Sequence, residues 1–474
     1  MFLPTTLKEA AARGWHQLDF ILITPDAYVD HPSFAMAILG RTLEARGFKV
    51  GILSQPRWQD PQSFLALGVP KLAFGISGGN VDSMVLNYTA TKKRRMQDDY
   101  CQKGNGYFLN TEPSIKNKIR PDRVIQVYAN QLKQVCKTKP VIIGGIEASL
   151  RRIAHYDYWS NSIKRSILFD SKADILVYGM GEEPLTQILI ALKEGKKIED
   201  LAIANTAVIQ KNIDNIQNVV VLPSFNEVKE SKEAFSKAFK LFYQNHDRQI
   251  LAQQQDSRYL VQFPKKEASQ TELDWIYSLP FKKAPHPSYI YPIPAFEMIK
   301  DSITAHRGCY GQCAFCSIHL HQGSTIVSRS QKSILKEIQT LAQQPTFKGI
   351  VSDIGGPSAN MYQSFCKIKG CKDPNCLLKD QGNPCPHLQT GIEEYQTLLN
   401  QAVHIPKIKQ VFIGSGLRFD KPLISPSFLH QVLQKHSGGS VKIAPESGCD
   451  KVLELMNKPP TRVFDNFKKM FHAV

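Results

Sequence analysis

The chain has 474 residues, of which 42% are hydrophobic and 21% are charged. This length suggests about three domains or two larger ones, and the composition excludes wholesale disorder, a collagen-like chain and a small disulfide scaffold. The 59 Lys and Arg residues outnumber the 42 Asp and Glu residues, which gives a formal net charge of +17. Such a charge permits binding to a polyanion without demonstrating it.

The amino-terminal sequence lacks the basic segment followed by an apolar stretch that a secretory signal requires. No uninterrupted apolar run reaches ~18 residues, the length that a transmembrane helix needs. The sequence contains ten cysteines, and in a reducing compartment such thiols more often bind metals or carry out redox chemistry than form disulfides. We therefore expect a cytoplasmic protein.

Residues 1–200 alternate short apolar runs with amphipathic stretches, a pattern typical of a parallel sheet covered by helices. Residues 32–46 have helical spacing and end before Gly47, which is suited to cap a helix. A ligand of such a sheet is expected at the carboxyl ends of its strands. Strands are predicted at residues 19–23, 50–53, 71–76, 140–143 and 175–178.

Residues 201–295 are predicted to form a helical and extended connecting region. Helices are expected at 231–242 and 249–255, with one strand at 219–222. The proline-rich stretch 279–294 predicts an extended linker, because a residue that precedes proline disfavours helical geometry.

Strands and helices alternate again in residues 296–474. Together with the first segment, this pattern predicts an α/β protein with two sheet-containing modules joined by a linker. The predicted strands are 302–306, 349–354, 409–413 and 440–444, and the predicted helices are 330–343, 391–402, 427–435 and 462–471.

A sharp motif, Cys309-Tyr-Gly-Gln-Cys313-Ala-Phe-Cys316, follows the first strand of this last segment. Three thiolates on one loop suit a soft metal centre and leave one metal position open for chemistry. The alternative is a structural zinc site, which normally has four ligands and would recruit His319 or His321.

The motif and its place at a strand end resemble the signature of the radical SAM superfamily. Longer stretches resemble its YgiQ-like family, and the resemblance covers essentially the whole chain. They include DAYVDHPSF (26–34), GISGGNVDSMVLNYT (75–89), IGGIEASLRRIAHYDYW (143–159) and VYGMGEEPL (177–185).

This resemblance implies an enzyme in which Cys309, Cys313 and Cys316 bind three irons of a [4Fe-4S] cluster. S-adenosylmethionine (SAM) would bind the fourth iron, and one electron would cleave it to a 5′-deoxyadenosyl radical. An electron donor of the flavodoxin or ferredoxin type is then an expected partner, but the resemblance implies no particular substrate.

Other cofactor contacts follow from the same resemblance. Gly355 and Gly356 stand where the superfamily often has Gly-Gly-Glu, with Pro357 in place of the acid, so that only a backbone contact to the SAM amine is expected. Ser415 and Arg418 follow the third predicted strand and would hold the methionine carboxylate. After the fourth predicted strand, Glu446 would accept hydrogen bonds from the ribose hydroxyls. The alternative for Ser415 and Arg418 is an ordinary turn between a strand and a helix, with a surface arginine.

A second group, Cys366, Cys371, Cys376 and Cys385, lies in a polar insertion predicted at residues 361–390. Such an insertion cannot bury a core, so a metal crosslink would explain how it becomes ordered. Four thiolates suit either zinc or an auxiliary iron–sulfur cluster, and His387 would be able to replace one of them. The alternative is a loop whose thiols remain reduced and bind no metal.

The first module resembles the cobalamin-binding domains that precede many radical SAM barrels. The Asp-x-His-x-x-Gly sequence that supplies a cobalt-ligating histidine is absent, because Pro-Ser-Phe follows His31. Histidine-ligated cobalamin is therefore not expected, while base-off binding and recruitment of the site for substrate stay open. Asp30, His31, Asn80 and Asp82 are expected to line this pocket or to cap turns.

A radical SAM barrel has six βα units, whereas only four strands are predicted here. We therefore expect a partial barrel, either an inactive truncated remnant or one completed by a second chain. The basic runs 92–95 and 151–152, with Tyr100 and Tyr107 near the first, are candidate contacts for RNA phosphates. The competing function is a non-catalytic, metal-stabilised nucleic-acid-binding protein.

Overall fold

The structure is a computed structural model that describes residues 1–108, 117–368, 371, 376–378 and 383–474. The chain divides into two compact units. The first unit comprises Met1–Lys266 with Leu279–Met298, and the second comprises Glu267–Ser278 with Ile299–Val474. Within the described ranges, no helix is both long and apolar enough to cross a membrane.

The first unit contains a sheet of nine strands. They are β1 (Phe20–Thr24), β2 (Val50–Ser54), β3 (Ala73–Ser77), β4 (Val141–Gly144), β5 (Ile175–Val177), β6 (Thr206–Gln210), β7 (Val219–Leu222), β8 (Ile250–Gln255) and β9 (Arg258–Gln262). The five strands predicted in residues 1–200 are confirmed to within two residues. Their apolar side chains are buried, as expected for parallel strands that helices cover on both faces.

The order of the strands across the sheet is β7-β8-β9-β6-β5-β4-β3-β1-β2. β1 to β5 pair in parallel, whereas β6 and β9 run antiparallel to their neighbours. Because β2 and β3 lie on opposite sides of β1, the carboxyl ends of β1 and β3 form the switch point where sheets of this kind bind ligands.

Buried glutamines explain a wrong prediction in the connecting region. Residues 249–255 were expected to be helical, but they form strand β8. Gln253 and Gln255 are buried there, and their side chains accept hydrogen bonds from the backbone N–H groups of Ala154 (2.8 Å) and Ser166 (2.9 Å). A hydropathy pattern cannot reveal such a strand, because its buried side chains are polar. The strand predicted at 219–222 is confirmed as β7.

Helices of the first unit begin and end close to the predicted positions at 32–46 and 231–242. Gly47 has a φ of +85° just after the first of these helices, which confirms its capping role. Within the proline-rich stretch, Ala284–Pro285 pairs with Val29–Asp30 as a short antiparallel ladder. The helices are Leu7–Ala11, Ala35–Ala45, Ser83–Asn87, Val124–Val135, Ile146–Leu150, Ile167–Ser171, Glu182–Lys193, Phe225–Glu230, Lys232–Asn245 and Pro294–Ile299.

The second unit is built from short strands and amphipathic helices. Its parallel pairs are Ser302–Thr304 with Asp353–Gly355, and Ile350–Val351 with Gln410–Val411. Its other strands are His306–Arg307, Val327–Ser328, Phe365–Cys366 and Leu388–Gln389. The helices are Gln270–Tyr277, Ile318–His321, Gln331–Ala342, Ile392–Val403, Pro426–Gln431, Asp450–Leu455 and Thr461–Ala473.

The fourth predicted strand of this unit, at residues 440–444, is wrong. The structure has no strand in these described residues, where one backbone hydrogen bond joins the Leu417 N–H to the Lys442 carbonyl (2.8 Å). A single bond does not make a ladder. The segment alternates in polarity, but its polar side faces solvent with no neighbouring strand to continue the sheet.

Candidate functional site

The cysteine motif forms a loop that begins directly after a short strand. Gly308 has a φ of +88°, and a Cβ at this position would collide with the carbonyl of Thr325, so the turn requires glycine. Cys309, Cys313 and Cys316 are each partly buried on this loop. Burial raises the pKa of the Cys309 thiol, and the nearby charges of the other two cysteines act in the same direction.

Arg418 lies beside these thiols. Its Nη1 is 3.7 Å from Cys313 Sγ, while its Nε and Nη2 donate to the two carboxylate oxygens of Asp420 at 2.8 and 2.9 Å. Burial opposes the positive charge, but Asp420 and the thiols of Cys313 and Cys309 raise the pKa of Arg418 above its ordinary value. The guanidinium therefore stays charged next to the cysteine loop.

A segment near the carboxyl end of the chain fastens the outer part of the loop. The Ala314 N–H donates to the Met456 carbonyl (3.0 Å), and the Asn457 side chain donates to the Gln312 carbonyl (2.9 Å). Burial lowers the pKa of Lys458, and repulsion from Arg418 lowers it further. No motif in the sequence indicates these contacts, because they join residues about 140 positions apart.

Two of the predicted cofactor residues, Gly355 and Ser415, lie together with Asp353, which the sequence analysis missed. The Asp353 carboxylate accepts from the N–H groups of Gly414 (2.8 Å) and Ser415 (3.0 Å) and from the Ser415 hydroxyl. Burial raises the pKa of Asp353, although these donors oppose the shift. A Cβ at Gly355 would collide with the Ser415 side chain, so the close approach depends on glycine.

A second missed residue, His306, lies against the predicted Gly356. A methyl group at Gly356 would be only 2.5 Å from the imidazole Cε1. The His306 side chain is fully buried, and burial lowers its pKa to about 4. A histidine three residues before Cys309, inside an apolar strand, is the one sequence signal that marks it.

Glu446 is placed differently from the other predicted cofactor residues. It is exposed, has a φ of +70°, and its carboxylate is 3.8 Å from the Lys458 ammonium group. The two histidines considered as alternative zinc ligands, His319 and His321, both lie on the helix Ile318–His321 just after the loop.

In the second group of cysteines, one backbone hydrogen bond joins two members directly. Cys366 pairs with Leu388 in a short antiparallel ladder, and the Cys385 N–H donates to the Cys376 carbonyl (2.8 Å). The N–H of Cys371, the second cysteine of the group, donates to the Ile368 carbonyl (3.3 Å). Residues 369–370, 372–375 and 379–382 of the predicted insertion lie outside the described residues.

Tyr310 connects the two cysteine groups. Its buried ring belongs to one apolar cluster with Cys385, against which Cys309 and Cys376 also pack. Burial raises the pKa of the Tyr310 phenol, and the charges of Cys376 and Cys309 act in the same direction. Across the described residues, no three histidine, cysteine or carboxylate side chains converge as the ligands of a single ion would. A four-iron cluster has a different ligand geometry, because each thiolate binds its own iron.

Polar residues after the strands of the first unit are engaged by the chain itself. Asp30 forms a buried ion pair with Arg41, and Asp82 caps the helix Ser83–Asn87. The Asn80 side chain accepts a hydrogen bond from the Ala35 N–H (3.1 Å). Both residues line a cavity at the switch point of the sheet. His31 Nδ1 accepts from the Ser33 N–H (3.1 Å).

The two basic runs proposed as phosphate contacts differ in exposure. Arg152 is fully buried between the rings of Tyr178 and Phe242, and Arg151 pairs with Asp82, so the run 151–152 does not form a phosphate-binding surface. The exposed Lys92 instead lies 4.6 Å from the Tyr158 ring. Charge alone could not separate the two runs, because burial of an arginine depends on distant strands.

Comparisons with known proteins show which family this chain is similar to. The family model described as Radical SAM N-terminal matches residues 2–302. A UPF0313 protein from Clostridium botulinum (strain ATCC 19397 / Type A) is 44% identical, covering 100% of this chain and 73% of the relative. A UPF0313 protein from Thermotoga neapolitana is also 44% identical, covering 100% of this chain and 83% of the relative.

A solved structure shares the fold. It is the radical S-adenosylmethionine methyltransferase TsrM from Kitasatospora setae, with tryptophan substrate and a SAM analogue bound. The TM-score is 0.50 at 13% identity, and the match covers 96% of this chain but 65% of TsrM. At this identity the likeness shows an α/β radical SAM fold and nothing about the substrate.

Proposed function

The chain belongs to the UPF0313 (YgiQ-like) family of radical SAM proteins, and from that premise we propose that it cleaves SAM reductively and acts on an unidentified substrate. The observation that supports this most directly is the loop at the end of a strand that carries Cys309, Cys313 and Cys316, with Arg418 close to the first two of these thiols. The family implies a [4Fe-4S] cluster and SAM as cofactors.

The residues of the loop fit a cluster. Three thiols separated by short loop segments can each hold one iron, and the glycine turn at Gly308 allows the backbone to wrap closely. When bound, the cluster supplies the electron that breaks a carbon–sulfur bond of SAM, which yields methionine and a 5′-deoxyadenosyl radical. Gly355, Gly356 and Ser415 would hold the methionine end of SAM, and Glu446 would hold its ribose.

For Arg418 we propose a role other than the contact with the methionine carboxylate that was expected from the sequence. Its Nε and Nη2 are occupied by Asp420, and its Nη1 faces Cys313. We therefore propose that it offsets the negative charge of the thiolates, which favours their deprotonated, metal-binding form. Asp420 fixes the guanidinium in place for this purpose.

The test is anaerobic reconstitution with iron and sulfide, followed by dithionite, SAM and quantification of 5′-deoxyadenosine by mass spectrometry. The wild type is expected to form the product, and Cys313→Ala is expected to lose both iron and product. Cys449→Ala is the matched control, because Cys449 is exposed and lies outside both cysteine groups. Product from Cys313→Ala at the wild-type level would overturn the proposal.

We also propose that Cys366, Cys371, Cys376 and Cys385 hold a second thiolate-bound metal centre. The hydrogen bond between Cys385 and Cys376 and the packing of these two cysteines around Tyr310 support this proposal. Iron and zinc should be counted per chain in Cys313→Ala and in Cys376→Ala. Each variant is expected to lose the metal of its own group and to retain the other, and metal content unchanged by Cys376→Ala would contradict the second centre.

The first unit is proposed to work without histidine-ligated cobalamin. His31 is fully buried, its Nδ1 accepts a backbone hydrogen bond, and its ring packs 6.2 Å from the ring of Phe296. Equilibrium dialysis against hydroxocobalamin, followed by absorbance spectroscopy, provides the test. Binding with the spectrum of histidine-ligated cobalt would contradict the proposal.

A further inference from the structure

Two adjoining loops of the first unit bring aromatic rings and cations together at the surface. One loop joins the antiparallel strands His155–Asp157 and Ser162–Lys164 and carries Tyr158 and Trp159. The other loop contains the basic run 92–95. Exposed aromatic side chains beside cations are typical of surfaces that bind a partner.

The chain itself fixes these two loops to each other. The Tyr158 hydroxyl donates to the Ala90 carbonyl (2.8 Å), and Lys92 Nζ lies 4.6 Å from the centre of the Tyr158 ring. Lys92 also donates to the Trp159 carbonyl (3.4 Å), and the Trp159 ring lies 5.3 Å from the ring of Tyr88. Because these contacts already order the rings, a partner that binds them loses little conformational entropy from the protein side.

The rings remain accessible although they make these contacts. The exposed fraction of the side chain is 49% for Tyr158 and 48% for Tyr156, which lies on the same hairpin. Trp159 is partly exposed. Exposed aromatic surface can stack against a planar ring of a partner, and every base of a nucleic acid offers such a ring.

The cations of the run 92–95 are only partly compensated by carboxylates. Among the described residues, Arg94 faces Asp122 at 3.5 Å, whereas Lys92, Lys93 and Arg95 are exposed and form no ion pair. Three such charges attract a polyanion, in keeping with the formal net charge of +17. A chain of phosphates that carries planar bases has both features that this surface complements.

Hydroxyl groups on both loops favour RNA over DNA. The Oγ1 atoms of Thr89 and Thr91 lie 3.0 Å apart, and the Oγ atoms of Ser160 and Ser162 lie 2.9 Å apart. All four residues are at least partly exposed. A hydroxyl has one donor and two acceptor positions, so each pair can also bind a ribose 2′-hydroxyl, the group that distinguishes RNA from DNA.

We propose that this surface, formed by Tyr158, Trp159, Lys92, Lys93 and Arg95, binds single-stranded RNA, with bases stacked on the rings and phosphates held by the cations. A double helix hides the faces of its bases, so unpaired segments should bind more tightly than duplex RNA. The inference does not depend on cleavage of SAM, and each of the two proposals can fail without the other.

The first test removes the aromatic ring. Fluorescence anisotropy measures how the 474-residue chain, reconstituted with iron and sulfide, binds a labelled single-stranded RNA of about 20 nucleotides at low salt. Tyr158→Leu is expected to weaken binding by about 5- to 100-fold, because a stacked base loses its platform. Tyr158→Phe is the matched control, since it keeps the ring and removes only the hydroxyl that contacts Ala90.

The second test removes charge at exposed positions, where folding is not at risk. For the double variant Lys92→Ala/Lys93→Ala, the slope of log affinity against log salt concentration should decrease in magnitude by about 1.4, because each neutralised phosphate of a single strand contributes about 0.7. The double variant Lys196→Ala/Lys197→Ala removes the same charge, but each of these lysines lies beside a glutamate, at 2.9 and 4.0 Å. Its slope should equal that of the wild type.

The outcomes that would overturn the proposal are distinct. Absence of RNA binding by the wild type would exclude the surface altogether, and equal losses in Tyr158→Leu and Tyr158→Phe would show a structural role for this residue. Equal slopes in the two lysine variants would place the phosphates elsewhere. Inorganic polyphosphate that binds as tightly as RNA would leave charge alone, and equal affinity for duplex RNA or for a DNA strand of the same sequence would exclude recognition of single-stranded RNA.

Discussion

Arg120 in the first unit and His306 in the second are both buried polar side chains, but they differ in how their hydrogen-bonding atoms are satisfied. Arg120 donates to Asp98 (2.7 Å), Asp26 (2.7 Å) and the Gly78 carbonyl (3.1 Å), all of which belong to the same unit. His306 has no such partner among the described residues. Where the chain closes its own hydrogen bonds, a buried polar group stabilises the fold, and where it leaves them open, the unpaired atoms lower stability.

The Arg120 network fills the switch point of the sheet. Burial raises the pKa of Asp26, although Arg120 opposes this shift, and the same arginine holds the pKa of Asp98 below its usual range against the effect of burial. A Cβ at Gly79 would collide with Asp26, so the backbone also closes around the pair. The position where related folds bind ligands is thus partly occupied by the protein's own ions.

Among the variants that test this difference between the two units, Arg120→Met should have the largest effect on stability. The variant leaves Asp26 and Asp98 buried without their counter-ion, so the free energy of unfolding of the first unit should fall by about 3–5 kcal/mol. Urea denaturation followed by hydrogen exchange of peptides from this unit measures the loss. A change below ~1 kcal/mol would show that the network is not structural.

Gly356→Ala tests how closely His306 is packed. The added methyl group would overlap the imidazole, so the second unit should lose about 1–3 kcal/mol of unfolding free energy. Gly448→Ala is the matched control, because nothing lies within 4 Å of a Cβ at that position. Equal stability of the two variants in urea denaturation would mean that the ring moves aside freely.

Mild acid should lower the stability of the second unit through His306. The folded pKa of His306 is about 4, below its ordinary value of 6.5, so in this range the unfolded chain binds a proton that the folded chain excludes. The contribution of the neutral His306 side chain to the free energy of unfolding is complete well above pH 6.5. It declines as the pH falls, by about 2 kcal/mol between pH 6.5 and 5. Urea denaturation of the second unit at both pH values should show this slope, and His306→Leu should reduce it while leaving the contribution of His436, whose pKa burial also lowers.

An exposed ion pair provides the smallest expected effect. Lys196 and Glu194 lie 2.9 Å apart with more than half of each side chain exposed. Lys196→Met should change the unfolding free energy by no more than about 0.5 kcal/mol, because solvent screens such a pair. A loss comparable to that of Arg120→Met in the same denaturation experiment would remove the distinction between buried and surface charges.

The sequence predicts the parallel strands and the cysteine loop because both rest on local patterns, apolar runs in one case and Cys309, Cys313 and Cys316 in the other. Strand β8 escapes prediction, since its buried Gln253 and Gln255 look solvent-exposed until their distant partners are known. Contacts between residues that are far apart in the sequence cannot be predicted from it for the same reason.

The site residues illustrate the same limit. The Asp353 carboxylate accepts hydrogen bonds from the Gly414–Ser415 turn, about 60 positions later in the sequence. His306 packs against Gly356, which is 50 positions later. Neither residue belongs to a spaced motif. Arg152 shows the converse case, because a basic run that suggests a surface holds an arginine buried between two rings.

The contact between His306 and Gly356 also restricts how this protein can evolve. A larger residue at 356 is excluded while an aromatic ring occupies 306, so a change at either position alters what the other can tolerate. In an alignment of relatives, we therefore expect the two positions to vary as a pair.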